Sequence, residues 1–165
     1  MGNKGRRNQP MADEAAISFR DATVDDIPRI VELLADDFLG SGRETANAPD
    51  LKPYQSAFRA IEASSDNRLF VACLGDTVVG TFQLTLIPGM SFTGGTRAQI
   101  EAVRVDASLR GRGAGKQMIE RGVEEARKAG CCLVQLTMNK QRSDTLRFYE
   151  RLGFVATHEG FKLML

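Results

Sequence analysis

One stretch constrains this chain more than any other: residues 100–116, which read IEAVRVDASLRGRGAGK. The stretch begins as an apolar, β-branched strand and ends in a glycine-rich loop that precedes a helical pattern. Glycines leave the backbone N–H groups of a helix N-terminus uncovered, where the helix dipole also favours an anion. Three glycines and three basic residues therefore predict a phosphate-binding loop: Arg110, Gly111, Arg112, Gly113, Gly115 and Lys116.

The rest of the sequence predicts alternating strands and helices, which is an α/β (α+β) fold. Alternating or continuous apolar runs predict strands at 17–22, 69–74, 78–87, 98–106 and 131–138. Helical spacing predicts helices after the N-cap Thr23, from Pro53, from the glycine loop to about residue 129, and at 143–152. Because a helix separates strand 98–106 from strand 131–138, we expect these two strands to be parallel.

The end of the chain is expected to complete the sheet. Glycine caps should end the two later helices at Gly130 and Gly153. Segments 154–157 and 161–165 are short and apolar, and we interpret them as closing strands. The last helix is expected to bury Leu146, Phe148 or Tyr149, and Leu152.

Composition excludes several classes of protein. A chain of 165 residues with ordinary apolar and charged fractions predicts one domain at 17–165, after a disordered extension at 1–16. A net charge of +1 is too small for a typical nucleic-acid-binding domain. Three cysteines make neither a disulfide framework nor a metal pattern. With no membrane-length apolar run and no signal-peptide pattern, we expect a cytoplasmic protein without a membrane partner.

Two well-known glycine loops do not fit the spacing. The dinucleotide-binding pattern GxGxxG fails because Met118 occupies the third glycine position counted from Gly113. The Walker A pattern GxxxxGK[ST] fails because Arg110 occupies its first glycine position and Gln117 follows Lys116. The loop is therefore specific to another kind of phosphate ligand, or it merely links a strand to a helix.

The spacing that does fit is R/Q-x-x-G-x-G/A, present as RGRGAG at residues 110–115. Here the sequence resembles the GNAT superfamily of N-acetyltransferases. VRVDASLRGRGAGKQM is similar to that superfamily's acetyl-CoA motif, and LRFYERLGF at residues 146–154 is similar to its next signature. The resemblance implies a mixed, mainly antiparallel sheet of six to seven strands with a central parallel pair, flanked by about four helices.

The resemblance also implies acetyl-CoA as co-substrate and no metal. The loop amides from Arg112 to Lys116 would hold the CoA pyrophosphate, while Arg110 contacts a phosphate or supports the loop. The pantetheine arm would enter where strands 100–105 and 133–138 splay apart, with the Val103 amide near the thioester carbonyl. The implied cofactor-binding residues are Val103, Arg104, Val105, Arg110, Gly111, Arg112, Gly113, Ala114, Gly115, Lys116 and Asn139. The alternative for Asn139 is a simple turn.

Two residues are candidates for proton transfer. Glu101 shares strand parity with Val103 and Val105, so its carboxylate is expected to face the same cleft, where desolvation would raise its pKa. The alternative for Glu101 is an ion pair with a neighbouring arginine. The resemblance implies that the Tyr149 hydroxyl protonates the departing thiolate; the alternative is a core tyrosine.

We therefore predict an acetyl-CoA-dependent N-acetyltransferase that transfers acetyl directly to a primary amine of a small molecule. The alternatives are a protein lysine or N-terminal acetyltransferase and a non-catalytic CoA-binding regulatory module. Arg142 stands where the family often has asparagine, so its role would be a contact with a phosphate or the substrate. Relatives are often homodimers, although no residue identifies an interface.

Overall fold

Five strands form one sheet in the part of the chain that the structure describes. The computed structural model describes residues 16–36, 50–140 and 143–165. The strands are β1 (Ile17–Asp21), β2 (Asn67–Leu74), β3 (Thr77–Ile87), β4 (Arg97–Val105) and β5 (Leu133–Leu136), in that spatial order. The first four strands pair antiparallel, and β5 is parallel to β4. The predicted fold class and parallel pair are thus confirmed.

Four α-helices accompany these strands in the described ranges. They are α1 (Ile27–Ala35), α2 (Lys52–Glu62), α3 (Ala114–Lys128) and α4 (Ser143–Arg151). A one-turn segment, Ser91–Gly94, is also present, but Phe92 and Thr93 within it have left-handed φ angles of 55° and 58°. The predicted disordered extension and most of the loop between α1 and α2 lie outside the described residues.

The start of α1 follows from three residues of its sequence. Thr23 and Asp26 form a capping box around the short 3₁₀ turn Val24–Asp26, so that α1 proper begins at Ile27. This places Pro28 in the first helical turn, where proline is tolerated because its missing N–H would have no intrahelical acceptor. Pro53 occupies the equivalent position in α2.

The sheet is covered on both faces. On one face α3 packs Met118 and Ile119 against a core that includes Phe70, Phe82 and Ile100, all at most 1% exposed. Gly122 permits this approach, because a Cβ there would lie 2.7 Å from Ile100 Cδ1. The opposite face carries α1 and α2, whose apolar residues form two smaller clusters with β2 and β3.

Glycines with left-handed φ angles occupy one hairpin turn and both predicted helix caps. Gly75 has a φ of 59° in the turn that joins β2 to β3, and Gly130 has a φ of 72° immediately after α3. The Gly130 and Cys131 amides donate to the Arg127 and Ala126 carbonyls, which satisfies two carbonyls at the end of that helix. Gly153, with a φ of 88°, plays the same role after α4.

Three predictions about the C-terminal region are wrong. Leu146 is 38% exposed rather than buried, whereas Phe148, Tyr149 and Leu152 pack against the main core as predicted. Neither 154–157 nor 161–165 forms a strand, and the described sheet has five strands rather than six or seven. An apolar pattern becomes a strand only where a neighbouring backbone completes its hydrogen bonds, and no described strand pairs with these segments.

Candidate active site

The edge of β4 becomes open halfway along the strand. β5 pairs with it only from Arg97–Leu133 to Ile100–Leu136, and β5 then ends. Past Ile100, residues 101–105 of β4 pair with β3 alone among the described strands. The two parallel strands therefore separate at the segment that leads into the glycine loop, which leaves backbone groups on one edge of β4 for a ligand.

A β-bulge lies at this opening. The pairing of β3 with β4 moves from Gln83–Glu101 to Thr81–Arg104, so Ala102 and Val103 together oppose one residue of β3. Ala102 has a φ of 52°, an uncommon conformation for a residue with a side chain. A bulge bends its strand, and this one does so beside the predicted position of the thioester.

The bulge corrects one prediction about Glu101. Residues paired across two strands share a face, so Glu101 lies with Gln83 on the face that carries α1 and α2. Val103 and Val105 instead pack against the core on the α3 face. The predicted common parity is wrong because the extra residue reverses the alternation, and the Glu101 side chain is exposed rather than desolvated.

The glycine loop has the conformation that its sequence requires. Gly111 and Gly113 have left-handed φ angles of 76° and 84°, and α3 begins at Ala114. The amides of Ala114, Gly115 and Lys116 are in the first helical turn, where no intrahelical acceptor exists. A Cβ on Gly111 or Gly113 would meet no atom within 4 Å, so space is open above the loop. The Ala114, Gly115 and Lys116 amides and the open space above the loop form a cradle that fits a pyrophosphate.

One amide of the predicted cradle is already used. The Arg112 N–H donates to the Leu109 carbonyl at 3.2 Å, so the group of available loop amides is smaller than predicted. The Arg112 and Lys116 side chains are exposed, and the Lys116 ammonium lies 3.7 Å from the Glu120 carboxylate. Both cations therefore surround the cradle without being buried in it.

Arg110 supports the loop in this structure. Its Nη2 donates to the Asp36 carbonyl at 2.7 Å and to Asp36 Oδ2 at 2.8 Å, directly beyond the end of α1. Its Nε donates to the Val105 carbonyl at 3.3 Å. Of the two predicted roles for Arg110, these contacts correspond to the support of the loop.

A second ion pair joins α1 to the segment before the loop. Arg29 contacts the Asp106 carboxylate through its Nη2 and donates from Nε to the Val78 carbonyl at 3.2 Å. Asp106 also accepts bonds from the Ser108 hydroxyl and amide, and these Ser108 bonds are the main reason why the Asp106 pKa is lowered, with a smaller effect from Arg29. Asp106 is thus held by Arg29 of α1, and Arg110 is held by Asp36, the residue that caps the end of α1.

Tyr149 lies in an aromatic group near the loop. Its ring makes edge contacts with Phe148 at 5.1 Å and with Phe154 at 5.9 Å between ring centroids. Tyr149, Val103 and Val105 all pack against the same core cluster. A Cβ on Gly115 would lie 3.6 Å from Phe148 and 3.8 Å from Val105, so α4 approaches the start of α3 at the end of β4.

The remaining predicted residues are less closely associated with the open edge of β4 and the glycine loop. Asn139 is exposed and follows β5 by three residues, while Arg142 lies outside the described residues. The Arg104 Nη1 donates to the Val103 carbonyl at 2.9 Å. Arg97 donates to Gln135 Oε1 at 3.3 Å. Within the described residues, no group of three or more His, Cys, Asp or Glu side chains could hold a metal ion.

Sequence reasoning missed a cavity of about 130 Å³ that lies between α1, α2 and the sheet and reaches the bulge. We call it the α1–α2 cavity. Its walls include Ile27, Val31, Tyr54, Ala57, Phe58 and Ala102. The apolar stripes of both helices are visible in the sequence, but the gap between them depends on the angle at which the helices pack.

An open β4 edge that leads into a helix-N-terminal phosphate cradle is the arrangement expected of an acyl-CoA-dependent transferase. The sequence profile of the Acetyltransferase (GNAT) family matches residues 27–154, and the chain belongs to this family. The protein is therefore an acyltransferase. None of the helices in the described ranges has the length and apolar character needed to cross a membrane.

Relatives with named activities include two enzymes. Glucosamine 6-phosphate N-acetyltransferase of Trypanosoma brucei brucei is 35% identical over 127 residues, which cover 76% of this chain and 78% of that protein. Aminoalkylphosphonate N-acetyltransferase of Salmonella typhimurium is 38% identical over 63 residues, which cover 38% of this chain and 41% of that protein. The longer match spans most of both chains.

A solved structure is also closely similar. The crystal structure of a protein from Bacillus halodurans C-125, described as a transcriptional regulator, is 44% identical and has a TM-score of 0.88. The match covers 91% of this chain and 100% of that chain. The two proteins therefore share their fold over almost the whole of this chain, including the glycine loop.

Proposed function

We propose that this protein transfers the acetyl group of acetyl-CoA directly to the primary amine of a small molecule, with both substrates bound at once. The observation that carries the proposal is the open edge of β4 past Ile100, which runs into the cradle at the start of α3. An extended arm along this edge and a pyrophosphate over the cradle match the shape of CoA.

The residues of the cradle would contribute to CoA binding in three different ways. The amides of Ala114, Gly115 and Lys116 would bind pyrophosphate oxygens, while Arg112 and Lys116 supply positive charge at its exposed side. Arg110 would hold the loop in the binding conformation through Asp36. Val105 would lend a backbone group to the pantetheine arm.

The bulge would place the reacting group. Acetyl-CoA supplies an activated thioester when it is bound. The Val103 N–H would stabilise the negative charge that develops on the carbonyl oxygen, because a donor fixed by the backbone needs no reorganisation. Glu101, on the α1–α2 face, would accept a proton from the amine through a water.

Tyr149 would supply the second proton. Its phenol hydroxyl would donate a proton to the sulfur as the thiolate departs. The edge contacts with Phe148 and Phe154 fix the direction of its ring. One proton thus leaves the amine on one face of β4 while another reaches the sulfur on the other.

The relatives favour a small acceptor over a protein. The two named enzymes act on glucosamine 6-phosphate and on aminoalkylphosphonates, both of which are small amines. A second candidate function is a CoA-binding regulatory module, favoured by the 44% identical structure that is described as a transcriptional regulator. A regulatory module would bind CoA without turnover.

Two measurements on the purified protein test the proposal. Saturation with acetyl-CoA at a hundredfold excess over its dissociation constant should stabilise the fold by about 2.7 kcal/mol, seen as a clear upward shift in Tm. Release of free CoA thiol in a screen of amines and lysine peptides then measures transfer. No thermal shift would contradict CoA binding, and a shift without turnover on any acceptor would favour the regulatory module.

A further inference from the structure

The α1–α2 cavity lies beside the reacting centre of the proposed reaction. Ala102, the bulged residue of β4, is part of its wall and is flanked in sequence by Glu101 and Val103. We propose that this cavity binds an apolar group of the acceptor, so that the acceptor is a primary amine with a phenyl-sized or branched aliphatic substituent. This inference rests on the proposed function and names the substrate class of the same site.

The size of the cavity limits the substituent. Its volume of about 130 Å³ is close to that of an apolar cavity of roughly 150 Å³ which accommodates benzene. A group of about six carbons therefore fills it. A sugar ring with its hydroxyl groups is larger and would need hydrogen-bond partners inside.

The walls of the cavity match an apolar group. Ile27, Val31 and Phe58 are 3%, 2% and 6% exposed, and these residues come from the facing sides of α1 and α2. Among the described residues, none that lines the cavity has a charged side chain. A phosphate or phosphonate placed here would lose its hydration without a counter-charge, which is strongly unfavourable. The cavity therefore discriminates against the acceptors of the two named relatives.

Two polar side chains of the wall, Thr81 and Gln83, are engaged in the sheet. The Thr81 hydroxyl donates to the Phe70 carbonyl at 2.9 Å, and Thr81 is 1% exposed. The Gln83 Nε2 donates to Asn67 Oδ1 at 3.3 Å. Because these donors already serve the sheet, they give the cavity floor little capacity to bind a hydroxyl-rich acceptor.

The location of Ala102 orients such an acceptor. With its apolar group between the helices, the amine would extend past Ala102 towards the edge of β4. There it would lie near the Glu101 carboxylate on the same face and near Val103 across the bulge. Apolar burial would thus hold the nucleophile in position, since fixed orientation lowers the entropic part of the barrier.

The test uses a side chain that fills the cavity from its rim. Ala57 lies on the exposed side of α2 and forms part of the wall, so Ala57→Leu should occupy the space at little cost to the helix. Ala60→Leu is the matched control, because Ala60 is exposed on the same helix outside the cavity wall. Ala57→Met, with a flexible side chain, is a second cavity-filling variant.

The probes are 2-phenylethylamine, 2-aminoethylphosphonate and glucosamine 6-phosphate. We expect 2-phenylethylamine to give the highest kcat/KM in the thiol-release assay. Ala57→Leu and Ala57→Met should weaken its binding, measured by calorimetry with CoA present, by at least tenfold. Ala60→Leu should leave that binding unchanged, and the acetyl-CoA thermal shift should persist in all three variants.

The outcomes separate this inference from the proposed function. Unchanged 2-phenylethylamine binding in both Ala57 variants, or a higher kcat/KM for either phosphorylated or phosphonylated amine, would overturn the apolar acceptor. If no amine is acetylated but 2-phenylethylamine binds and the Ala57 variants abolish binding, the cavity assignment stands while catalysis fails. If the wild-type protein shows no acetyl-CoA thermal shift but the amine results are as expected, this would count against the proposed function only.

Discussion

Asp26 joins β1 to the start of α1, and its replacement tests how the helix is held over the site. The carboxylate accepts two bonds from Arg20, at 2.6 and 2.9 Å, and bonds from the Thr23 amide and hydroxyl at 2.7 and 3.0 Å. Its side chain is 8% exposed. Asp26→Asn removes the charge but keeps one acceptor oxygen, so the variant isolates the electrostatic part of these contacts.

The expected loss of stability follows from the Asp26 pKa. Bonds from Arg20, and then those from Thr23, lower this pKa from 3.8 to about 2 against the opposing effect of burial. A change of nearly two pKa units corresponds to about 2.5 kcal/mol of free energy of unfolding. Because Arg20 is 46% exposed, solvent screening reduces this figure, and we expect about 1–2 kcal/mol. For a chain of this length Tm should fall by roughly 2–8 °C.

The pH dependence of the free energy of unfolding tests this explanation of the role of Asp26. A carboxylate with a lowered folded-state pKa stabilises the fold above its unfolded-state pKa and loses this effect as the pH falls. Urea unfolding should therefore show the full difference between wild type and Asp26→Asn at pH 7, and a smaller one as the pH falls from 4 towards 2. Asp25→Asn, at an exposed neighbour, is the control. A difference that is independent of pH, or equal losses in both variants, would refute the reasoning.

Three further changes address the site itself. Tyr149→Phe keeps the ring contacts and should lower kcat by about 10²–10⁴ without a change in the acetyl-CoA thermal shift; an unchanged kcat would exclude the hydroxyl as proton donor. Glu101→Gln should lower kcat at neutral pH and recover in part at higher pH, where more of the amine is already neutral, which a pH–rate profile measures. Gly80→Ala places a Cβ 2.9 Å from the Arg104 carbonyl of β4, so it should cost about 1–3 kcal/mol in urea unfolding and weaken acetyl-CoA binding. Gly89→Ala, where a Cβ meets nothing within 4 Å, is the matched control.

The glycine loop shows what the sequence alone can predict. Its strand, its left-handed glycines and the helix that follows are local features, and each depends on residues within a few positions of one another. The N-cap at Thr23 and the proline in the first turn of α2 are predictable for the same reason. Local chemistry is therefore sufficient to locate the cradle along the chain.

The β4 bulge shows what the sequence does not reveal. Its position depends on the register of two strands, and that register leaves Ala102 and Val103 opposite one residue of β3. No composition signal marks it, since Ala102 rather than glycine takes the left-handed conformation. The face on which Glu101 lies follows from this register, so the alternation of residues within β4 is not enough to predict its orientation.

The contacts of α1 explain why cofactor binding and acceptor specificity should depend on each other. Arg29 on its exposed side holds Asp106, and Asp36 beyond its last turn holds Arg110, so the helix fixes both ends of the segment before the cradle. The opposite side of the same helix supplies Ile27 and Val31 to the cavity wall. A rigid displacement of α1 would therefore move the Arg110 loop and the cavity together. Since Asp26 fixes the start of this helix, Asp26→Asn should weaken the acetyl-CoA thermal shift and 2-phenylethylamine binding in parallel, whereas Ala57→Leu should affect only the amine.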